Sequence, residues 1–298
     1  MKFSGLVSIL ILNWNGGKDT LRAIKSALNQ TYADIEIVVI DNGSTDESVD
    51  IIRKNYQNIK IVPLDKNYGC PGGRNIGVKE CQGDFVFFCD NDGVLHKDAV
   101  KNSMKCILKD DRIAIVTGKV RNFSSDKEID TQYKLRDPIM YKSNLFQGGI
   151  SLHRKFVFSE IDIYPDDYLY GGEETYLSFR ILDKDYYIVN SEEVVLWHKR
   201  SSNKRNRNQE CLRAWGNALS NAYQLFPIEY FVSFFLYFFL KYPFYAKKRR
   251  ILDGFIKESF NYLRRLKNYE RRPVKRRTYL EFRRLGRIKS KGKPNQVL

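Results

Sequence analysis

The segment "FVFFCDNDGVL", residues 85–95, runs apolar residues straight into Asp90 and Asp92, two like charges with one residue between them. Carboxylates leaving a strand end in this way can coordinate a hard divalent cation. Mg²⁺ or Mn²⁺ takes one or two such groups together with oxygens of a substrate diphosphate. An exposed turn rich in Asp and Asn before Gly93 has the same composition, so the pair by itself leaves turn and metal site open.

Three further segments carry chemistry. "NYGCPGGRNIG" (67–77) is rich in glycine, whose backbone N–H groups can approach a phosphate closely, and Arg74 follows where it can bind a diphosphate oxygen. It is neither a Walker loop nor a G-x-G-x-x-G fingerprint, and a tight helix-start turn reads the same way. In "YGGEETYLSFR" (170–180), Glu173 and Glu174 follow a glycine pair where a helix should begin. One of them can serve as a general base, or both can complement the helix dipole. The third is His198 in "VLWHKRSSN". With only three histidines, at 96, 153 and 198, there is no His-rich cage, but one imidazole beside two carboxylates completes a Mn²⁺ ligand set.

The elements that must hold these residues alternate at short intervals. The run from Leu6 to Leu12 reads as a buried strand, and Leu21, Ile24, Ala27 and Leu28 recur at helical spacing after it. "IEIVVID" is a second strand, and "STDESVDIIRKNY" opens like a capping box at Ser44 or Thr45 before a helix. "IKIVPL" and "DFVFFCD" are further strands separated by a helix over "GGRNIGVKEC". This pattern predicts an α/β fold with a mostly parallel sheet and flanking helices. The polar endings "NWN", "DNGS", "DKNYG" and "DND" all fall at the carboxyl ends of strands, where open sheets bind ligands. Beyond Val100 the pattern loosens into "IAIVTGKV", "FQGGISLHRKF" and "EEVVLW", the last leading into a polar basic loop.

Charge divides the chain. Its net +16 resides almost wholly in residues 247–298, which carry 19 basic and four acidic side chains, leaving +1 on residues 1–246. Residues 208–226 form an amphipathic helix through Leu212, Trp215, Leu219, Ala222 and Tyr223. "YFVSFFLYFFL" (230–240), broken by Lys241 and Pro243, falls short of the roughly 20 residues of a spanning helix. It reads as an interfacial or re-entrant segment. Ile251, Leu252, Phe255, Ile256, Ser259, Leu263 and Leu266 share a face flanked by Lys257, Arg264, Arg265 and Lys267, the pattern of a helix lying on an anionic membrane. Five cysteines without C-x-x-C spacing predict neither a disulfide framework nor a zinc knuckle, and "LVSILIL" is too short for a signal-peptide core.

Taken in order, "VSILILNWNGGKDTLRAIKSALNQTY", "IEIVVIDNGSTDES", "NYGCPGGRNIG", "FCDND", "FQGGIS", "GGEETYLSFR" and "WH" resemble family 2 glycosyltransferases of the GT-A fold, most closely the rhamnosyltransferase-like members. The resemblance covers roughly residues 5 to 205. It implies a catalytic domain over 1–205 and leaves 206–298 as a helical, basic, membrane-associating region.

The resemblance implies roles residue by residue. Asn13, Asp41 and Asn42 fall where such enzymes hold the nucleotide base and ribose, with Arg74 and Asn75 near the donor diphosphate. Asp90 and Asp92 match the metal-binding D-x-D, the second Asp being the more direct ligand, and Mg²⁺ or Mn²⁺ is the implied cofactor. Glu174 matches the base and Glu173 its structural neighbour, while His198 matches a late metal-coordinating histidine. Two departures stand out. "DNGS" replaces the commoner D-D-G-S, so base recognition rests on the Asn42 amide and leaves uridine and thymidine open. Glu174 stands where the base is usually Asp.

The expected reaction is inverting transfer from a UDP- or dTDP-sugar to a hydroxyl of a glycan or polyprenyl-linked acceptor. The expected place is the cytoplasmic face of the cell membrane. A sugar nucleotidyltransferase is a second reading of the same carboxylates. A nucleic-acid-binding protein would explain the basic tail, but not acids at the strand ends, which repel phosphate without a metal.

Overall fold

The computed structural model describes residues 5–130, 133, 139–199 and 207–290. The basic loop over 200–206, part of the 124–138 segment, and the last eight residues of the tail lie outside the described residues. The first half of the chain is β1 (Val7–Asn13), α1 (Gly17–Leu28), β2 (Ile35–Asp41), α2 (Ser48–Asn55), β3 (Lys60–Pro63), α3 (Gly69–Glu80) and β4 (Phe85–Asp90). Then follow β5 (Gly93–Leu95), α4 (Ala99–Ile107), β6 (Ile113–Phe123), β7 (Met140–Ser143), β8 (Ile150–Arg154), α5 (Glu173–Asp183) and β9 (Tyr187–Lys199). Four helices complete the described chain: α6 (Arg207–Leu225), α7 (Ile228–Lys248), α8 (Leu252–Leu266) and α9 (Arg276–Ser290).

Alternation along β1 explains the layers. Val7, Ile9 and Ile11 pack into one apolar cluster with Ala23 and Ile24 of α1 and Val100 of α4, while Leu10 joins Val78 of α3 and Leu177 of α5 on the opposite face. A strand buried on both faces is apolar throughout, and each such side chain contributes about 1.5–3 kcal/mol of burial. One sheet results, in the order β3-β2-β1-β4-β8-β6-β9-β5, with β7 paired to β9. The mostly parallel expectation holds for β3, β2, β1 and β4. Past β4 the sheet is mixed: β8 runs antiparallel to β4 and β6, and β5 and β7 antiparallel to β9, with β6 and β9 parallel. The chain turns outward in both directions from β1 and β4, so the crevice between their carboxyl ends is the place where such a sheet takes a ligand.

Several local readings change. The helix expected over "GGRNIGVKEC" begins earlier, at Gly69, so the whole glycine run lies within α3. A Cβ at Gly73 would sit 2.6 Å from Leu12 Cδ1, and one at Gly77 2.8 Å from Ile40 Cγ1, so these glycines let the helix lie against the sheet. The capping box does not form. Ser44 gives its hydroxyl to Asp41 (2.6 Å), and α2 starts later, at Ser48, whose N–H donates to Asp46 (3.0 Å). Leu28, at the end of α1, is exposed.

Helix α7 runs unbroken for 21 residues through Pro243. Phe238 and Ala246 are buried on either side of the proline and pack with Leu219 and Phe255. This tertiary packing outweighs the roughly 3 kcal/mol that an internal proline costs. On α8, Phe255, Ser259, Tyr262 and Leu266 are buried, so most of the face expected to lie on a membrane is turned into the protein against α6 and α7. Helix α9 packs back onto α5, where Phe282 stacks on Phe179 with ring centroids 3.9 Å apart. No helix among the described residues is long and apolar enough to cross a membrane.

Candidate active site

Parallel pairing sets Asn13 beside Asp41 and Leu12 beside Asp90, bringing three strand ends together. Asn13 is fully buried. Its Nδ2 donates to Asp41 Oδ1 (2.6 Å) and Ser44 Oγ (3.2 Å), and its Oδ1 accepts from Thr20 Oγ1 (2.5 Å). Asp41 also accepts from the Ser44 N–H (3.0 Å), so Asn13, Asp41, Thr20 and Ser44 lock one wall of the crevice. Thr20 does not stand out in the sequence and Ser44 reads there only as a helix cap; their place in this wall is found by following the hydrogen bonds of Asn13.

Asn42 is buried with its amide committed. Its Nδ2 donates to Asn67 Oδ1 (3.1 Å) and Gly69 O (3.0 Å), and its Oδ1 accepts from Tyr68 N (3.0 Å). It pins the turn into α3. Base recognition by a free Asn42 amide is not what this geometry offers. Asn75 likewise faces away from the crevice: Nδ2 donates to Tyr164 O (2.8 Å) and Asp166 Oδ1 (3.2 Å), and Oδ1 accepts from Tyr164 N (3.1 Å), clasping the 164–166 segment to α3. Arg74, one residue earlier, does reach the site. Its guanidinium is 5% exposed, lies over Phe88 and donates from Nη2 to Asp90 Oδ1 at 3.0 Å.

The metal expectation gains its geometry from β5 and β9. Their antiparallel pairing puts Gly93 opposite His198, so the side chain lands next to Asp92, whose carbonyl accepts from Lys199 N (3.0 Å). His198 Nε2 lies 3.0 Å from Asp92 Oδ1 and 3.7 Å from Asp90 Oδ2. One ligand atom from each of the three residues falls within 4.8 Å of the other two. Nδ1 of His198 lies 3.0 Å from Lys199 O, a contact that places the ring proton there and aims Nε2 at the carboxylates. The hydrogen bond that the protonated His198 Nε2 gives to Asp92 raises the His198 pKa against the opposing effect of burial, and the charges of Asp92 and Asp90 add to it. Two hard carboxylates and one imidazole, partly open to solvent, are a donor set that fits a divalent cation with positions left for substrate oxygens.

The glutamate pair approaches from another element. Gly171 and Gly172 adopt φ of 79° and 96°, the left-handed region that a side chain rarely takes, and this turn swings the chain into α5. Glu173 is 3% exposed, and one carboxylate oxygen has no hydrogen-bond partner. Burial pushes its pKa up to about 7, with the charge of Glu174 adding to the effect. Glu174 is less buried. Burial raises its pKa too, against the pull of Arg74, and Asp90 adds to the rise. A Cβ at Gly148 would meet both Arg74 Nη1 (2.3 Å) and Glu174 Oε1 (2.6 Å), so the two side chains close on the same glycine. Gly149 backs Asp90 in the same way, with a Cβ there 1.9 Å from Asp90 Oδ2. The sequence marks this glycine pair only as a turn before a strand. The Asp90–Asp92–His198 group, the Arg74 guanidinium and the glutamate carboxylates thus meet at the ends of β1, β4 and β8.

A sheet whose strand order turns outward in both directions from β1 and β4, with a D-x-D and a histidine at that point, defines the GT-A class of α/β fold. The model of the family "Glycosyl transferase family 2" matches residues 8–159, just over half of the chain. The chain belongs to that family. It is 36% identical to a chondroitin synthase of Escherichia coli over 123 residues, which are 41% of this chain and 18% of that protein. It is 43% identical over 90 residues to the E. coli enzyme WfaP, a UDP-Glc:alpha-D-GlcNAc-diphosphoundecaprenol beta-1,3-glucosyltransferase, covering 29% of this chain and 35% of that one. The matched segment is well under half the length of either relative. Among solved structures, a mannosyltransferase of Pyrobaculum calidifontis in complex with GDP-Man and Mn²⁺ superposes with a TM-score of 0.57 at 15% identity, over 74% of this chain and 64% of that one. That likeness establishes the fold. Glu173, Glu174 and His198 lie beyond the family-matched segment.

Proposed function

We propose that this chain transfers a glycosyl group from a nucleoside-diphosphate sugar to an acceptor hydroxyl, with inversion at the anomeric carbon. The observation that carries the reading is the Asp90–Asp92–His198 group at the sheet's switch point, with Glu174 facing the same glycine as Arg74. Asp90, Asp92 and His198 would hold Mg²⁺ or Mn²⁺, and the imidazole favours Mn²⁺. A cation held there would supply positive charge against the departing diphosphate. Asp41 and Asn13 form the wall for the nucleoside, and Asn42 shapes it by holding the turn into α3. Arg74, kept in place by Asp90, offers positive charge to the diphosphate.

Glu174 takes the acceptor's proton as its oxygen forms a bond to the anomeric carbon. The bond from that carbon to the diphosphate breaks, and the electron pair leaves with the diphosphate. A carboxylate with a raised pKa is a better base than an ordinary one. Glu174→Gln is expected to retain metal-dependent nucleotide binding and lose turnover; an unchanged rate removes Glu174 from the role.

The acceptor class follows from α7. Ile228, Val232, Leu236, Leu240 and Phe244 recur every fourth residue and are 48–71% exposed, with Tyr237 and Tyr245 beside them. Lys241, Lys247, Lys248, Arg249 and Arg250 are exposed around the same helix. Such a face suits shallow insertion into an anionic leaflet, which would bring the site to a polyprenyl-linked acceptor at the inner face of the cell membrane. A lipid-linked acceptor appears in the name of the relative WfaP. Flotation of the full chain with phosphatidylglycerol vesicles tests this. Absence of flotation favours a soluble glycan acceptor.

A further inference from the structure

The turn that launches Glu173 and Glu174 is built from two glycines, the residues least able to hold a conformation by themselves. Its three successive carbonyl oxygens all point into α6. Asn217 Nδ2 donates to Tyr170 O (3.2 Å) and Gly171 O (2.6 Å), and Asn221 Nδ2 donates to Gly172 O (2.8 Å). The two asparagines are four residues apart, hence on one face of the helix, and each is 2% exposed.

Each amide is oriented by a tyrosine. Tyr168 Oη donates to Asn221 Oδ1 (2.8 Å), and Tyr262 Oη, from α8, donates to Asn217 Oδ1 (3.1 Å). With its oxygen so engaged, Asn217 can present only its N–H groups to the turn. Tyr262 gets this close because residue 216 is glycine, where a Cβ would fall 1.9 Å from the ring. The other end of the same peptide group acts on Glu173: the Gly171 N–H offsets part of the burial effect on its carboxyl, while the Tyr170 carbonyl of that group is held by Asn217.

We infer that Asn217, Asn221 and Tyr262 are positioning residues for the transfer reaction, fixing the Tyr170–Gly172 turn and through it the aim of Glu174. This rests on Glu174 being the base. Helices α6 and α8, beyond the family-matched segment and beyond the expected catalytic domain of 1–205, are then part of the catalytic apparatus.

The test uses the full chain with Tyr262→Phe, which removes one oxygen, together with Asn217→Ala, Asn221→Ala and Glu174→Gln. Mn²⁺-dependent binding of UDP, dTDP and GDP and the Tm report on donor site and fold. Amide exchange over 168–176 reports on the turn. The kcat and KM for release of nucleoside diphosphate from the matching nucleotide sugar report on chemistry. Faster exchange confined to 168–176, unchanged nucleotide binding and donor KM, and a kcat lowered on the order of 10- to 100-fold in Asn217→Ala, less in Tyr262→Phe, is the expected result. Unchanged exchange, or a loss of kcat that only follows a loss of nucleotide binding or Tm, overturns the inference. If Glu174→Gln keeps its turnover, the base assignment fails instead, and the exchange data still decide whether the asparagines hold the turn.

Discussion

Gly149→Ala is a one-carbon perturbation aimed at the cation site. Gly149 precedes β8, and its carbonyl accepts from the Asp90 N–H at 3.2 Å, so the two backbones are fixed against one another. A Cβ at 149 would lie 1.9 Å from Asp90 Oδ2 and 2.4 Å from its Cγ, where ordinary contacts begin at 3.4 Å. The Asp90 carboxylate must therefore move by about 1.5 Å, the difference of those two contact distances. That breaks its 3.0 Å bond from Arg74 and removes Oδ2 from the group it forms with Asp92 and His198. Disturbing a neighbour of a metal ligand typically costs 10- to 100-fold in affinity, and displacing a ligand costs at least that, or about 1.4–2.7 kcal/mol. Mn²⁺ titration followed by the EPR signal of the free ion measures it, with Tm recorded alongside because overpacking costs about 1–3 kcal/mol of stability. Gly148→Ala is the comparison: it crowds Arg74 and Glu174 and leaves Asp90 itself untouched, so it should lower turnover with a smaller loss of Mn²⁺ affinity than Gly149→Ala. Mn²⁺ affinity within twofold of wild type in a folded Gly149→Ala protein would refute the assignment of Asp90 to the site.

Glu174→Gln should lower kcat by about 10²–10⁴-fold at unchanged nucleotide affinity, the usual range for a general base. Because the Glu174 pKa is raised, wild-type kcat should fall with decreasing pH already above the usual glutamate range, and a pH–rate profile locates this limb. Glu173 predicts a stability effect. Its folded-state pKa of about 7 lies above the ordinary glutamate value of 4.5, so the protonated form favours folding below 4.5 and that contribution is lost as pH rises through 7. Glu173→Gln should therefore raise Tm at pH 8, by an amount equivalent to at most about 3 kcal/mol, with the gain shrinking toward pH 5; an equal change at both pH values would count against the buried charge. Replacing Leu236, Leu240 and Phe244 with Glu should abolish flotation with phosphatidylglycerol vesicles and leave Mn²⁺-dependent nucleotide binding intact, read in the same two assays.

The parallel half of the sheet was legible because β1, β2 and β4 are buried on both faces, and so appear as unbroken apolar runs that end in polar residues. Asp90, Asp92 and Asn13 could be placed from that alone. His198 could not, since nothing local distinguishes it; the β5–β9 pairing brings it to Asp92. The glycine run misled because packing against a sheet and approach to a phosphate demand the same missing Cβ. Asn75 and Asn42 were read as ligand contacts, yet both are buried with their amides committed to backbone and side-chain partners within the protein. The tail showed the limits of counting charge. Arg277 pairs with Asp185 (2.8 Å) and Arg276 with Glu229 (3.8 Å), while Arg271 donates to the Phe226 carbonyl (2.6 Å), so part of the basic surplus ties the C-terminal helices to one another and to the rest of the protein. The asparagines of α6 read only as the polar side of an amphipathic helix until the turn they hold was in view.

The most direct test of the central claim is nucleotide binding to the cation group. Tm is measured for wild type and Asp92→Asn with UDP, dTDP and GDP, with and without Mn²⁺. A protein that binds a nucleoside diphosphate through Asp90, Asp92 and His198 is stabilised by one of the three only when Mn²⁺ is present, by about 2.7 kcal/mol at a nucleotide concentration one hundred times Kd, and the variant loses the effect. Stabilisation that is independent of Mn²⁺, or that survives in Asp92→Asn, would contradict it.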